Sequence, residues 1–232
     1  VGGDYSAFVI VDITEVPYKL VGKYRDNKIA PMLYPSVIHK VAKDFNNAYV
    51  LLEVNRSEQV AYILQSEIEY DNILYVTKSG KGQRVTGGFA GAGRTNYGVV
   101  TDKRVKRIGC FTFKSLVEEK KLIINDADVI SELSTFIEKR SSYEADEGYH
   151  DDLVMTLVLF SWLTTNPYFK DLNDINVREA MYQERIKQIE EDIIPFGFMT
   201  DGLEDEYDVD SGDAWTKEEP KSLPPGYLSS NL

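Results

Sequence analysis

EADEGYHDDLVMTLVLFSWL, residues 144–163, sets five carboxylates and one of the chain's two histidines in front of its most apolar segment. From Leu153 to Leu163 nearly every side chain is apolar, so the pattern predicts a helix buried on several faces. A carboxylate at its front end stands at the edge of a dry region, where an unpartnered charge is costly. Asp151 and Asp152 therefore either cap the helix, favoured by the positive end of its dipole, or hold a cation.

Working outward, SAFVIVDI (6–13) reads as a buried strand and YKLVGKYRD as its hairpin partner. PMLYPSVIHKVAKDFN has helical spacing with Pro35 near its start. AYVLLEVN (48–55) reads as a central strand, closed by Glu53. Ser57 is a candidate N-cap for a helix over EQVAYILQSEIEY, and NILYVT is a further strand. KSGKGQRVTGGFAGAGRTNYGVVTD (78–102) holds seven glycines and shows no apolar period, which predicts a long mobile loop. A helix is expected over about 103–119, then a short strand at KLIIN. A helix over ADVISELSTFIEK capped by Asp126 follows, and a charged amphipathic helix lies near 177–193. Strands followed by alternating helices and strands predict an α/β fold, a mixed sheet with helices on its faces. Residues 1–199 are read as one domain and 200–232, with nine acids against two lysines, as a flexible acidic tail.

The 232-residue chain has 43% hydrophobic residues, enough for a real core. Its one cysteine, Cys110, excludes an internal disulfide and fits a reducing compartment; a small buried thiol is its simplest reading. No apolar run reaches transmembrane length. The first residues lack the form of a signal peptide, and the missing initiator methionine suggests a piece of something longer. The net charge of −12 argues against bulk attraction to polyanions, but it is unevenly spread. Residues 78–107 carry eight basic side chains (Lys78, Lys81, Arg84, Arg94, Lys103, Arg104, Lys106, Arg107) against one acid, Asp102. Such a segment can follow a phosphate backbone without reading sequence, with Phe89 and Tyr97 available to stack on bases. A merely solvated loop is the plainer alternative.

Glu53 and Asp152 also have plain readings, a strand-end glutamate and a helix-favoured aspartate. Together, however, an acid ending a central strand and another opening a packed helix can converge at one sheet edge. Hard divalent cations require such oxygen ligands, and a pair of them can hydrolyse a phosphodiester. Other chemistries lack their residues: there is no GxxxxGK[ST] loop, no Cys/His zinc spacing and no sign of a sugar cleft.

The blocks VGGDYSAFVIVDI, AYVLLEVN, RVKRIGCFTFKSLVEEKKLII and DEGYHDDLVMTLVLFSWL stand in an order and spacing that resembles the C-terminal nuclease domain of large terminase subunits of T-even-like tailed bacteriophages. The resemblance covers about 1–163. It implies an RNase H-like fold and a Mg²⁺-dependent endonuclease (Mn²⁺ serving in its place) that cuts concatemeric double-stranded viral DNA during genome packaging. Its acidic residues map onto Glu53 and Asp152, with Asp4 at an additional Gly-x-Asp position; His150 and Asp151 are supporting candidates, with Asp151 favoured as the N-cap. The family's first catalytic aspartate ends a strand expected upstream of Val1. The implied partners are double-stranded DNA, the ATPase motor domain of the same full-length protein, the portal and the small terminase subunit. No membrane is implied, and the setting is the host-cell cytoplasm during virion assembly. A non-catalytic DNA-binding or assembly module and a Holliday-junction resolvase are the alternatives.

Overall fold

The computed structural model describes residues 5–55, 58–79, 82–86, 95–139, 142–174 and 186. The chain divides into Val1–Ile189 and Glu190–Leu232, and every described residue belongs to the first unit. The expected acidic tail, the amphipathic helix near 177–193 (Ile186 apart) and the Ser57 cap lie outside the described residues.

Strand β1 (Ser6–Asp12) pairs antiparallel with β2 (Tyr18–Asp26), with a register shift at Ile10/Val11. β1 is half-buried rather than buried, since β2 is its sole partner strand among the described residues. Helix α1 (Tyr34–Asp44) takes Pro35 in its first turn, where the missing N–H leaves no bond unmade. The Tyr34 hydroxyl donates to the Ala7 carbonyl at 2.9 Å and ties α1 to β1.

Residues 50–54 are extended, but their pairing consists of two isolated parallel bridges, Val50 with Ile73 and Glu53 with Val99. The amide of Val54 donates to Val99 O at 2.9 Å, and that of Val99 to Leu52 O at 2.7 Å. This approach needs Gly98: a β-carbon there would stand 2.4 Å from Leu52 O, and its φ is +154°. The next expected helix forms as α2 (Glu58–Tyr62) and loosens into a π-helical turn over Ile63–Glu67, ending short of Tyr70.

The long loop expected over 78–102 is corrected. β3 (Tyr75–Ser79) pairs with β4 (Gly82–Thr86) on one side and β5 (Thr95–Asn96) on the other, all antiparallel. Val76 and Val85, opposite each other, are 1% and 4% exposed, and this pair anchors the hairpin. Glycine abundance masked a single buried anchor, Val85.

Helix α3 (Lys103–Glu118) starts at Asp102, whose carboxylate accepts from the amides of Arg104 and Val105. β6 (Leu122–Ile123) joins β2 in parallel. α4 (Ala127–Ser134) is capped by Asp126 as expected, but it stops early. Residues Phe136–Lys139, expected to continue it, form β7, which pairs with β8 (Ser142–Ala145). α5 (Asp152–Thr164) packs on α3, β1 and α4, and a further helical stretch spans 167–174. Parallel and antiparallel pairing with helices make this the expected α/β mixed architecture.

Asp126 offers a direct test of the capping assignment. It accepts from Asp128 N and Val129 N at 3.0 and 3.1 Å and from Lys23 Nζ at 2.6 Å. Burial pushes its pKa up, but the Lys23 ammonium and those amides outweigh it, and the pKa falls below the usual value. A depressed carboxylate pKa gives stability that is present above the unfolded value and lost as pH falls through the folded one. Asp126→Ala should destabilise by about 1 kcal/mol at neutral pH. In urea titrations the gap from the parent should close in acid; a gap independent of pH would contradict the charged cap.

Candidate metal and nucleic-acid site

Strand alternation decides which face Glu53 shares. Leu52 and Val54 are buried in one core cluster, with Ile38, Ala42 and Leu64. Leu51 packs instead against the other, which contains Leu153 and Leu157 of α5 together with Val99. Side chains alternate along an extended segment, so Glu53 lies on the Leu51 face, the side turned toward the core cluster that includes α5 residues. Glu53 is exposed, and among the described residues its carboxylate has no ion pair or hydrogen bond. Its backbone bridge to Val99 fixes where it emerges.

Asp152 is the first residue of α5, with its side chain 21% exposed. Its Oδ2 is 3.8 Å from His150 Nδ1, a distant pairing, and the His150 ring meets Tyr5 edge-on at 5.0 Å. Asp151 holds the N-cap position, but its side chain makes no cap bond. Its Oδ2 accepts from Ala145 N at 3.3 Å instead. The expected cap is thus corrected: the amides of Leu153 and Val154 donate to Glu132 Oε2, at 2.8 and 3.2 Å. Glu132 is 6% exposed and stands on α4, 21 residues before Leu153 in the chain. Local capping spacing could not have pointed to it; a lone acid on the apolar face of ADVISELS was the only signal.

Asp4 lies outside the described residues. Among the described residues no group of three or more His, Cys, Asp or Glu side chains is close enough to hold a metal. Glu53 and Asp152 offer hard oxygen donors, one of them unpartnered, which suits Mg²⁺ or Mn²⁺ and not a softer ion. The Cys110 thiol is 8% exposed, and burial pushes its pKa up to about 11, so it is no nucleophile at neutral pH.

Of the basic residues, Lys81 and Arg94 lie outside the described residues, as does Phe89. Lys78 and Arg84 are exposed on β3 and β4. In the hairpin register Arg84 faces Thr77, whereas Lys78 alternates with it onto the Val76 side, so the two point to opposite faces. Lys103, Arg104, Lys106 and Arg107 occupy the first two turns of α3, with no acid in the first turn. The Arg104 guanidinium lies 3.4 Å from where a β-carbon on Gly82 would stand, and Gln83 Nε2 donates to Asp102 Oδ2 at 3.1 Å. The Lys78 face of the hairpin, which also carries Gln83, thus adjoins the start of α3, whereas Arg84 points to the other face. Lys103 and Arg104, in the first turn, oppose the helix dipole by a few tenths of a kcal/mol each. Tyr97 is 39% exposed and tilted against Tyr75.

The described residues thus form an α/β domain with an exposed strand-borne acid, Glu53, an acidic helix start at Asp152 and a cationic start to α3. Residues 1–162 match the family described as the terminase RNaseH-like domain, and the chain belongs to that family. The RNase H-like fold expected from the sequence is thereby established, and with it a nuclease role in genome packaging. Nucleases of this fold usually use divalent metals, and terminase domains work with DNA and packaging-complex partners in general. No helix among the described residues is long and apolar enough to cross a membrane.

Proposed function

We propose that this domain is the metal-dependent endonuclease of a large terminase subunit of the T-even-like kind, cutting concatemeric double-stranded viral DNA in the host-cell cytoplasm. The observation that carries the reading is Glu53, an exposed and unpartnered carboxylate on the strand face turned toward the core cluster to which α5, opening with Asp152, contributes. Glu53 and Asp152 would hold Mg²⁺ or Mn²⁺, with Asp4 as a third candidate. Such ions, when bound, supply water activation and stabilise charge on the leaving oxygen. The chain's own contribution is placement. The Val99 bridge fixes Glu53, and the buried body of α5 fixes Asp152. The ATPase motor domain, the portal and the small terminase subunit are the proposed partners.

Plasmid nicking decides this reading: cleavage is expected with Mg²⁺ or Mn²⁺ and none in EDTA. Retardation of DNA in EDTA without cleavage under any metal would instead identify a non-catalytic binding module. Preference for four-way junctions over linear duplex would identify a resolvase.

The cations at the start of α3, with Lys78 on the adjoining hairpin face, would grip the duplex backbone without sequence preference; Arg84, on the other face, would not join them. If three or four engage at once, the log–log salt dependence of affinity should have a slope of about −3 to −4. Replacing Lys103, Arg104 and Arg107 with alanine should flatten that slope by about 1 to 3 and weaken all duplexes alike. Stability should hold or rise, because charges opposing the helix dipole are removed. Binding across salt in Ca²⁺, which suppresses cleavage, measures this. An unchanged slope would place the DNA elsewhere.

A further inference from the structure

We propose that Glu132 is a positioning residue that sets Asp152 through the first turn of α5, an inference that rests on the reading of Asp152 as a cation ligand. Its two carboxylate oxygens divide their work. Oε1 accepts from Arg25 Nη1 on β2 at 2.6 Å, and Oε2 accepts from the amides of Leu153 and Val154. The Leu153 N–H belongs to the peptide unit that contains the Asp152 carbonyl, so gripping it fixes the Asp152 backbone. The contacts then return to Asp152 from the other side. Arg25 lies over the Tyr5 ring at 4.3 Å, Tyr5 meets His150 edge-on, and His150 Nδ1 faces Asp152 Oδ2. This return path is loose, the His150–Asp152 approach being 3.8 Å, so the grip on Asp152 rests on the bonds of Glu132 to the α5 amides.

Stability alone is a poor account of this arrangement. A buried ion pair is often no better for stability than apolar residues of the same volume. Asp151, already at the N-cap position, could have capped α5 locally. What a charged bridge from another helix adds is a defined position for the peptide it holds.

Glutamine at position 132 makes the test selective. Arg25 and the two helix amides all donate, and a glutamine has one acceptor oxygen where the carboxylate has two. The charge-assisted bond to Arg25 takes that oxygen and turns an NH₂ group toward the amides. Glu132→Gln should therefore weaken Mn²⁺ affinity, titrated by electron paramagnetic resonance on the full chain, by about 10-fold or more. Exchange of the Leu153 and Val154 amides should quicken in the metal-free protein, and kcat should fall with KM for duplex unchanged. Adding Arg25→Met frees the glutamine oxygen for the amides and should restore Mn²⁺ affinity toward the parent value. A merely structural role would appear as lost thermal stability in Glu132→Gln with Mn²⁺ affinity unchanged. Parent Mn²⁺ affinity in Glu132→Gln, or no recovery in the double variant, would overturn the proposal. Asp152→Asn, titrated alongside, separates the two readings. If it leaves Mn²⁺ affinity unchanged, the role of Asp152 itself falls; if it alone weakens binding, only the role of Glu132 does.

Discussion

Asp152→Asn should abolish Mg²⁺-dependent cleavage while the protein stays folded. A carboxylate that neutralises a hard cation is worth several kcal/mol to the charge it helps stabilise. Its loss corresponds to a rate drop on the order of 10³-fold or more. The fold should survive because the α5 amides are capped by Glu132 and not by Asp152. Asparagine, moreover, is itself tolerated at helix starts. Plasmid nicking and thermal unfolding together check this. A variant that cuts at the parent rate contradicts the assignment, and one that unfolds returns Asp152 to a structural role.

The second large effect should come from a residue with no chemistry. Gly109 lies where α3 crosses α5, and a β-carbon there would stand 2.5 Å from Val158 O and 2.7 Å from Val158 Cγ1. One of these is backbone and cannot swing aside, so Gly109→Ala must push the helices apart by about 1 Å to reach ordinary contact distances. Overpacking of this kind costs about 1–3 kcal/mol, against up to about 1 kcal/mol gained in helix propensity. Because α5 carries Asp152, the shift should also reach the site. A displacement of that size can cost about 10²-fold in rate. Urea unfolding and single-turnover cleavage measure the two consequences separately. Unchanged stability would show that the α3–α5 seam is looser than described, and unchanged cleavage would uncouple α5 from catalysis.

The helices that sequence reading recovered are those with a clear apolar pattern. α3 starts at Asp102 with a strong apolar face, α4 starts at Asp126, and α5 is buried nearly all round. It failed where two signals competed. TFIEK continues a helical period and equally suits a strand; pairing with β8, whose residues lie beyond 139, settled it as β7. Glycines in 78–102 suggested a loop, but burial of Val85 against Val76 outweighed them in β4. At the site, Glu53 and Asp152 were visible because each is an acid in an apolar context. Glu132 was invisible as a cap because its partners are distant in sequence, and Asp151 was overvalued because local spacing was the only guide.

The most direct test of the site is a crystal of this chain soaked in Mn²⁺ and read by anomalous scattering. Ions should appear within direct ligand distance of both the Glu53 and Asp152 carboxylates, at about 2.0–2.3 Å. Manganese bound only at other acids, with Glu53 and Asp152 each facing solvent separately, would contradict the account.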